Sequence, residues 1–216
     1  MPSIPNWYQL IAGPSAPRPG QPAPAAFVLP LSSVAPNPAA AARPAAHTLP
    51  RPIGALLLDT LPAIALTPGQ PQPIRAPVAD ALDAAAALGA TLLIAPWPDA
   101  PERPDDAERV ALDLFRAVRF DAERRAVRVA WQLPPASLHS VQFVRALFDA
   151  ANSPWVGAAL DSRAHAPIAT WIEILTHRVA AVATTATPDS AEFAAVAAAL
   201  AQQRCDAPII VLPVPR

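Results

Sequence analysis

The sequence contains no lysine, and all 16 of its basic residues are arginine. A chain without an ε-amino group has no Schiff-base chemistry and no P-loop lysine for a nucleotide phosphate. The single cysteine, Cys205, allows neither a disulfide within the chain nor a multi-thiolate metal site. Nothing therefore demands an oxidising compartment, and a cytoplasmic location is expected. Glycine is scarce, and none of the six glycines falls in a GxGxxG or GxxxxGK phosphate-binding arrangement. The GxSxG elbow of serine hydrolases is absent too. Charge is thin, with 16 basic against 17 acidic residues, so no field draws the chain to nucleic acid or to an anionic membrane. The best apolar stretch, 53–66, is broken by Asp59 and Pro62 and is too short to span a bilayer. The N-terminus has neither a basic start nor an unbroken apolar run, which argues against a signal peptide. A soluble protein is expected.

Apolar residues make up 53% of the chain, ample for a buried core. Proline is abundant and uneven, with 22 of 30 before Asp105. Because proline fixes φ and lacks an N–H, that density forbids long helices and central strands over much of residues 1–52. Two readings stand for this segment: a polyproline or disordered arm able to dock on a protein partner, or an irregular first part of the domain. The clusters around Trp7–Ile11 and Phe27–Leu31 are too apolar for a pure linker and favour partial order. Residues 53–216 are expected to form the folded domain.

Beyond residue 52 the pattern becomes regular. Residues 53–58 and 63–66 read as short buried strands around a turn. A helix opens at Pro77, with Val78, Leu82 and Ala85 on one face and Gly89 as its left-handed stop. Five strands follow at 91–95, 127–133, 156–161, 178–184 and 208–212, separated by helical segments of about a dozen residues. Asp105 or Asp106 is placed to cap the second helix and Ser140 the third. Strands joined by single helices are parallel, because a parallel partner needs a crossover. Five strong strands plus two or three weaker ones suit a (β/α)8 TIM-like barrel with a shortened, irregular N-terminal third. An open doubly wound sheet is the runner-up, but it would call for a glycine-rich turn after an early strand.

From about Pro52 onward the chain resembles the xylose isomerase-like TIM barrels, the sugar phosphate isomerase/epimerase superfamily. ADALDAAAALGATLLIAPWP is similar to that family's third strand with the helix before it, and VRVAWQLPP to the strand that usually ends in glutamate. SPWVGAALDSRAH is similar to the strand ending in aspartate with a histidine shortly after. HRVAAVATT resembles the histidine-bearing strand, and EFAAVAAALAQQRCDAPIIVLPV the closing helix and strand. The resemblance implies a divalent metal held by two glutamates, an aspartate and a histidine. This sequence departs from that set. Gln132 stands at the first glutamate position, Thr184 or Thr185 on the histidine strand and Leu212 at the closing glutamate; Asp161 is retained, and His165 lies four residues beyond it, where the family spacing is three. One carboxylate and one imidazole do not satisfy Mg, Mn or Zn, so no metal site and no cofactor are expected, with a divalent metal only under the alternative reading of an active isomerase or epimerase.

Active sites of such barrels lie at the C-terminal ends of the strands. Asp161 and His165 are the candidate acid/base pair there, with Gln132, Trp97, Asp99 and Thr184 as candidate contacts to a substrate. Trp131 and Gln132 alternate along one strand, so only one of them faces the barrel. Asp161 would equally cap its own loop, and His165 would equally bond to backbone. Proton transfer between adjacent carbons needs two acid/base groups, and only Asp161 is secure. Three functions follow: a barrel with a degraded metal site that binds a small sugar-like or polyol ligand with little or no turnover; an isomerase or epimerase using Asp161 and His165; and a scaffold acting through its proline-rich segment.

Overall fold

The computed structural model describes residues 7–10, 26–31, 52–58, 61, 69–98, 106–134 and 140–212. Eight strands run in chain order around a closed parallel barrel: β1 (Trp7–Leu10), β2 (Ala26–Pro30), β3 (Ile53–Leu57), β4 (Leu92–Pro96), β5 (Arg128–Gln132), β6 (Val156–Asp161), β7 (Val179–Thr184) and β8 (Ile209–Val211). Closure is made by β1 against β8, with Tyr8 opposite Ile210. Thus β1 and β2, drawn from the proline-rich first 52 residues, are staves of the barrel. Proline is tolerated in this region because the strands are short and Pro30 ends one of them.

Among the described residues five helices pack outside: α1 (Gln72–Ala87), α2 (Ala107–Arg125), α3 (Val141–Ala151), α4 (Ile168–Leu175) and α5 (Ala191–Gln202). Two expectations about helix starts need correction. The helix expected to open at Pro77 begins a turn and a half earlier, at Gln72, with Pro73 in its first turn and Pro77 inside. A proline that early in a helix loses little, since the first N–H groups have no intrahelical acceptor. Asp106 holds the N-cap position of α2 but makes no capping bond with its side chain, while Asp105 lies outside the described residues. Ser140 and Ser190 do cap, their hydroxyls accepting from the Phe143 and Phe193 amides. Gly89 takes φ +73° just past α1, the left-handed stop expected of it. The strand expected from Arg178 begins at Val179, because 176–178 turn as a short 3-10 helix. The second short strand expected at 63–66 lies outside the described residues.

Along the strands whose side chains are described, residues divide between two cores. Those pointing outward, such as Leu93, Val129, Trp131, Leu160 and Val182, join the helix faces in one large apolar layer. Phe115 of α2 is central to it, stacked on Trp131 at 5.5 Å and on Phe148 at 5.1 Å, with the Trp97 ring edge-on at 5.7 Å. The inward set is smaller: Val28, Ala55, Leu92, Ile94, Ala130, Ala159, Ala181 and Ile210. Barrels of this type are ordinarily filled by branched residues. Here β5, β6 and β7 contribute alanines on the inside, which leaves the C-terminal half of the lumen under-filled.

Candidate functional site

The under-filled lumen opens at the C-terminal end of the strands as a cavity of about 320 Å³. Its walls are hydrocarbon from Leu57, Ile94, Leu133, Ala183 and Leu212, and its polar side chains among the described residues are Gln132 and Asp161. The pleat explains both. Ala130 faces the lumen, so Gln132 two residues on does too, while Trp131 between them is fully buried in the outer layer. On β6 the same period carries Ala159 inward and then Asp161. Gln132 is paired with Ala159, so the amide and the carboxylate sit one pleat apart on neighbouring strands.

Asp161 is partly tied to its own loop. Its Oδ1 accepts from the Arg163 amide at 2.8 Å and its Oδ2 lies 3.4 Å from the Arg163 guanidinium. The side chain keeps about a third of its surface exposed, so it can still accept from a ligand hydroxyl. The Gln132 amide is exposed and has no bonded partner among the described residues.

His165 is elsewhere. Its ring is fully buried, edge-on to Trp171 at 4.6 Å. The Asp161 amide donates to Nδ1 at 3.0 Å, which leaves the proton on Nε2 to be donated to the Pro134 carbonyl at 3.0 Å. Both nitrogens are occupied by backbone, and neither is left for a substrate or an ion. The imidazole ties the loop after β6 to the loop after β5.

Thr184, expected at the mouth, turns the other way. It is fully buried; its hydroxyl donates to Glu192 at 3.0 Å and accepts from the Ala186 amide at 3.0 Å. Ser162 also donates to Glu192, at 2.9 Å, so two hydroxyls converge on a carboxylate in the first turn of α5. Sequence reasoning missed this trio, whose members are 8 to 30 residues apart and share no motif. Trp97 packs on Phe115 behind the barrel wall. Asp99, like His139 and Glu102, lies outside the described residues.

The donor set at the mouth does not match what the family resemblance implies for a divalent ion. Among the described residues no three His, Cys, Asp or Glu side chains converge as a metal site. Gln132 is neutral, Leu212 lines the cavity where a glutamate is implied, and His165 is spent on backbone.

No protein-family model and no curated protein matches the sequence. Solved structures match it well. A 3-keto-D-glucoside 4-epimerase from E. coli superposes with a TM-score of 0.71 at 12% identity, covering 89% of this chain and 83% of the other. An AP endonuclease, family 2, from Brucella melitensis gives 0.68 at 16% identity over the same shares. A sugar phosphate isomerase/epimerase from Parabacteroides distasonis gives 0.66 at 13%, covering 88% and 76%. The chain therefore has the xylose isomerase-like TIM-barrel fold, and at such identities the likeness establishes the fold alone.

Proposed function

We propose that this protein is a binding barrel derived from the sugar isomerase/epimerase fold, with little or no metal-dependent turnover. The observation that supports it is the makeup of the mouth among the described residues: one carboxylate, Asp161, and one amide, Gln132, in a pocket otherwise walled by hydrocarbon. A divalent cation of the Mg or Mn class fills part of its oxygen shell with water and substrate but is anchored by anionic protein ligands, and among the described residues Asp161 is the one such group at the mouth. Without an ion, moving a proton between adjacent carbons of a hydroxyketone needs an acid and a base on opposite faces of the substrate. Asp161 can be one of them, while His165 cannot be the other as long as its nitrogens hold the two loops together.

What the mouth can do is bind. Asp161 accepts from a hydroxyl, Gln132 both donates and accepts, and the adjacent leucines and alanines cover an apolar body. The ligand class that fits is a small sugar-like or polyol molecule with one hydroxylated edge and one largely apolar face. Ligand-observed NMR against a panel of ketoses, deoxysugars and polyols tests this. Saturation transfer should appear for a deoxygenated or partly apolar member and fall at least about tenfold in affinity in Asp161→Asn, as expected for loss of a charged hydrogen bond. Metal-dependent epimerisation of any panel member at Asp161 would instead restore the enzyme reading.

A further inference from the structure

The opposite end of the barrel holds a second cleft, of about 330 Å³, that the mouth does not explain. It is bordered by Arg128 at the start of β5, His177 before β7, and Arg204, Cys205 and Asp206 before β8. The N-terminal face of such a barrel ordinarily serves stability, so a charged cleft there needs its own account. The sequence singled out neither arginine.

Arg128 is the unusual member. Its side chain lies across the barrel floor directly over Gly157: a Cβ built on that glycine would meet Arg128 Nη2 at 2.9 Å and the Arg178 carbonyl at 2.6 Å. The glycine is thus what admits the guanidinium. Nη2 donates to the His177 carbonyl at 2.8 Å, and Nε is buried with no partner among the described residues. No carboxylate lies within ion-pair distance among the described residues, whereas the neighbouring Arg178 has Asp149 at 3.1 Å. Burial pushes the Arg128 pKa down, opposed by the Cys205 sulfur and aided by the like charge of Arg178, but a guanidinium stays protonated in a protein. An apolar side chain would fill the same space without the desolvation penalty of an uncompensated charge. Arg204, exposed on the cleft's rim at φ +51°, adds a second cation. The carbonyls at the end of α5 are already engaged by the amides of Gln203, Arg204 and Cys205, which blunts the negative helix end nearby. Asp206 is the opposing charge, exposed at the edge.

We infer that this cleft is an anion site for a phosphate-class oxyanion, free or as the head of a phosphomonoester, gripped between Arg128 and Arg204 at the end of the barrel away from the mouth. Planar guanidinium groups suit tetrahedral oxyanions, which they bind through paired N–H donors.

The chain's one cysteine is a built-in reporter, because Cys205 borders the cleft and is only partly buried. Burial raises its thiol pKa above the ordinary 9.0, so it labels slowly and an occupant changes the rate measurably. The experiment is N-ethylmaleimide labelling of the full chain at about pH 8, in chloride, inorganic phosphate or glycerol phosphate at matched ionic strength. About 10 mM phosphate should slow labelling threefold or more for a millimolar site, by mass action. Arg204→Gln and Arg128→Gln should abolish the protection, and Asp206→Asn should strengthen it. If Arg128→Gln fails to fold, the exposed Arg204 and Asp206 variants still decide the matter. Protection by inorganic phosphate alone would identify the free ion, and equal protection by glycerol phosphate would identify the monoester head. Labelling indifferent to phosphate in the parent chain, or slowed equally in Arg204→Gln, would overturn the site.

Discussion

At the scale of single residues, the side chains that matter most are those whose partners lie far along the chain. His165 is the clearest. Replacing it with alanine leaves the Asp161 amide and the Pro134 carbonyl without partners in a buried setting, which costs about 1–3 kcal/mol for each group so stranded. Thermal unfolding of His165→Ala should fall by roughly 5–10 °C, on the scaling of about 2–4 °C per kcal/mol for a chain of this size. A Tm within a degree of the parent would mean that the ring does not tie the two loops. Gly157→Ala should be comparably damaging, because the added methyl would drive into backbone at the Arg178 carbonyl; about 1–3 kcal/mol is expected from overpacking, read by urea unfolding. Sequence reading put Asp161 at the end of its strand and left either Trp131 or Gln132 to face the barrel; the structure turns Gln132 into the cavity beside Asp161. The sequence could not decide between His165 as proton carrier and as backbone tie. That choice depends on a carbonyl 31 residues away. Thr184 was misplaced for a related reason: the pleat, and not proximity to the strand end, decides which way a side chain points.

At the scale of elements, α1 and α2 are joined by a polar seam as well as by their apolar faces. Arg125 makes a two-pronged contact with Asp83, at 2.6 and 2.7 Å, and Asp121 receives Arg75 at 2.8 Å. The hydrogen bonds from Arg125 hold the Asp83 carboxyl below its ordinary 3.8. A depressed carboxylate adds stability that is present above its unfolded pKa and is lost as pH falls through the folded value. Asp83 is largely exposed, so solvent screens the pair and its contribution is about 1 kcal/mol or less. The stability gap between the parent and Asp83→Asn should therefore be small at neutral pH and close below about pH 4; a gap that widens in acid would contradict the assignment. Ser140→Ala removes the α3 cap and should lower stability by about 1 kcal/mol in denaturant titration. The Ser140 cap was legible, because that serine stands immediately before an apolar 3.6-residue period. The start of α1 was not, since prolines at 71, 73 and 77 each read as a helix opening.

At the scale of the whole molecule, the repeat of strand and helix was legible from residue 89 onward and gave five staves in order. The N-terminal third was harder. Its strands are short, and the sequence between them is rich in proline, which hides the strand-and-helix period that marks a parallel crossover. Only closure of the ring reveals β1 as a stave between β2 and β8. Closure also sets the character of the mouth, because the alanines of β5 to β7 face the lumen only in a barrel. Among the described residues, the inward-facing strand ends thus deliver two polar groups and a hydrocarbon wall. Of the metal set implied by the family resemblance only Asp161 stands at the mouth among the described residues, where no three metal-ligating side chains converge. The decisive measurement is a thermal unfolding series on protein stripped with chelator, with and without about 1 mM Mn or Zn. A resident site would bind far more tightly than that and raise Tm by several degrees through linkage. The expected result is a Tm unmoved by either ion, in the parent and in Asp161→Asn alike. A rise of several degrees that disappears in Asp161→Asn would contradict the reading of the mouth as a site for binding without metal.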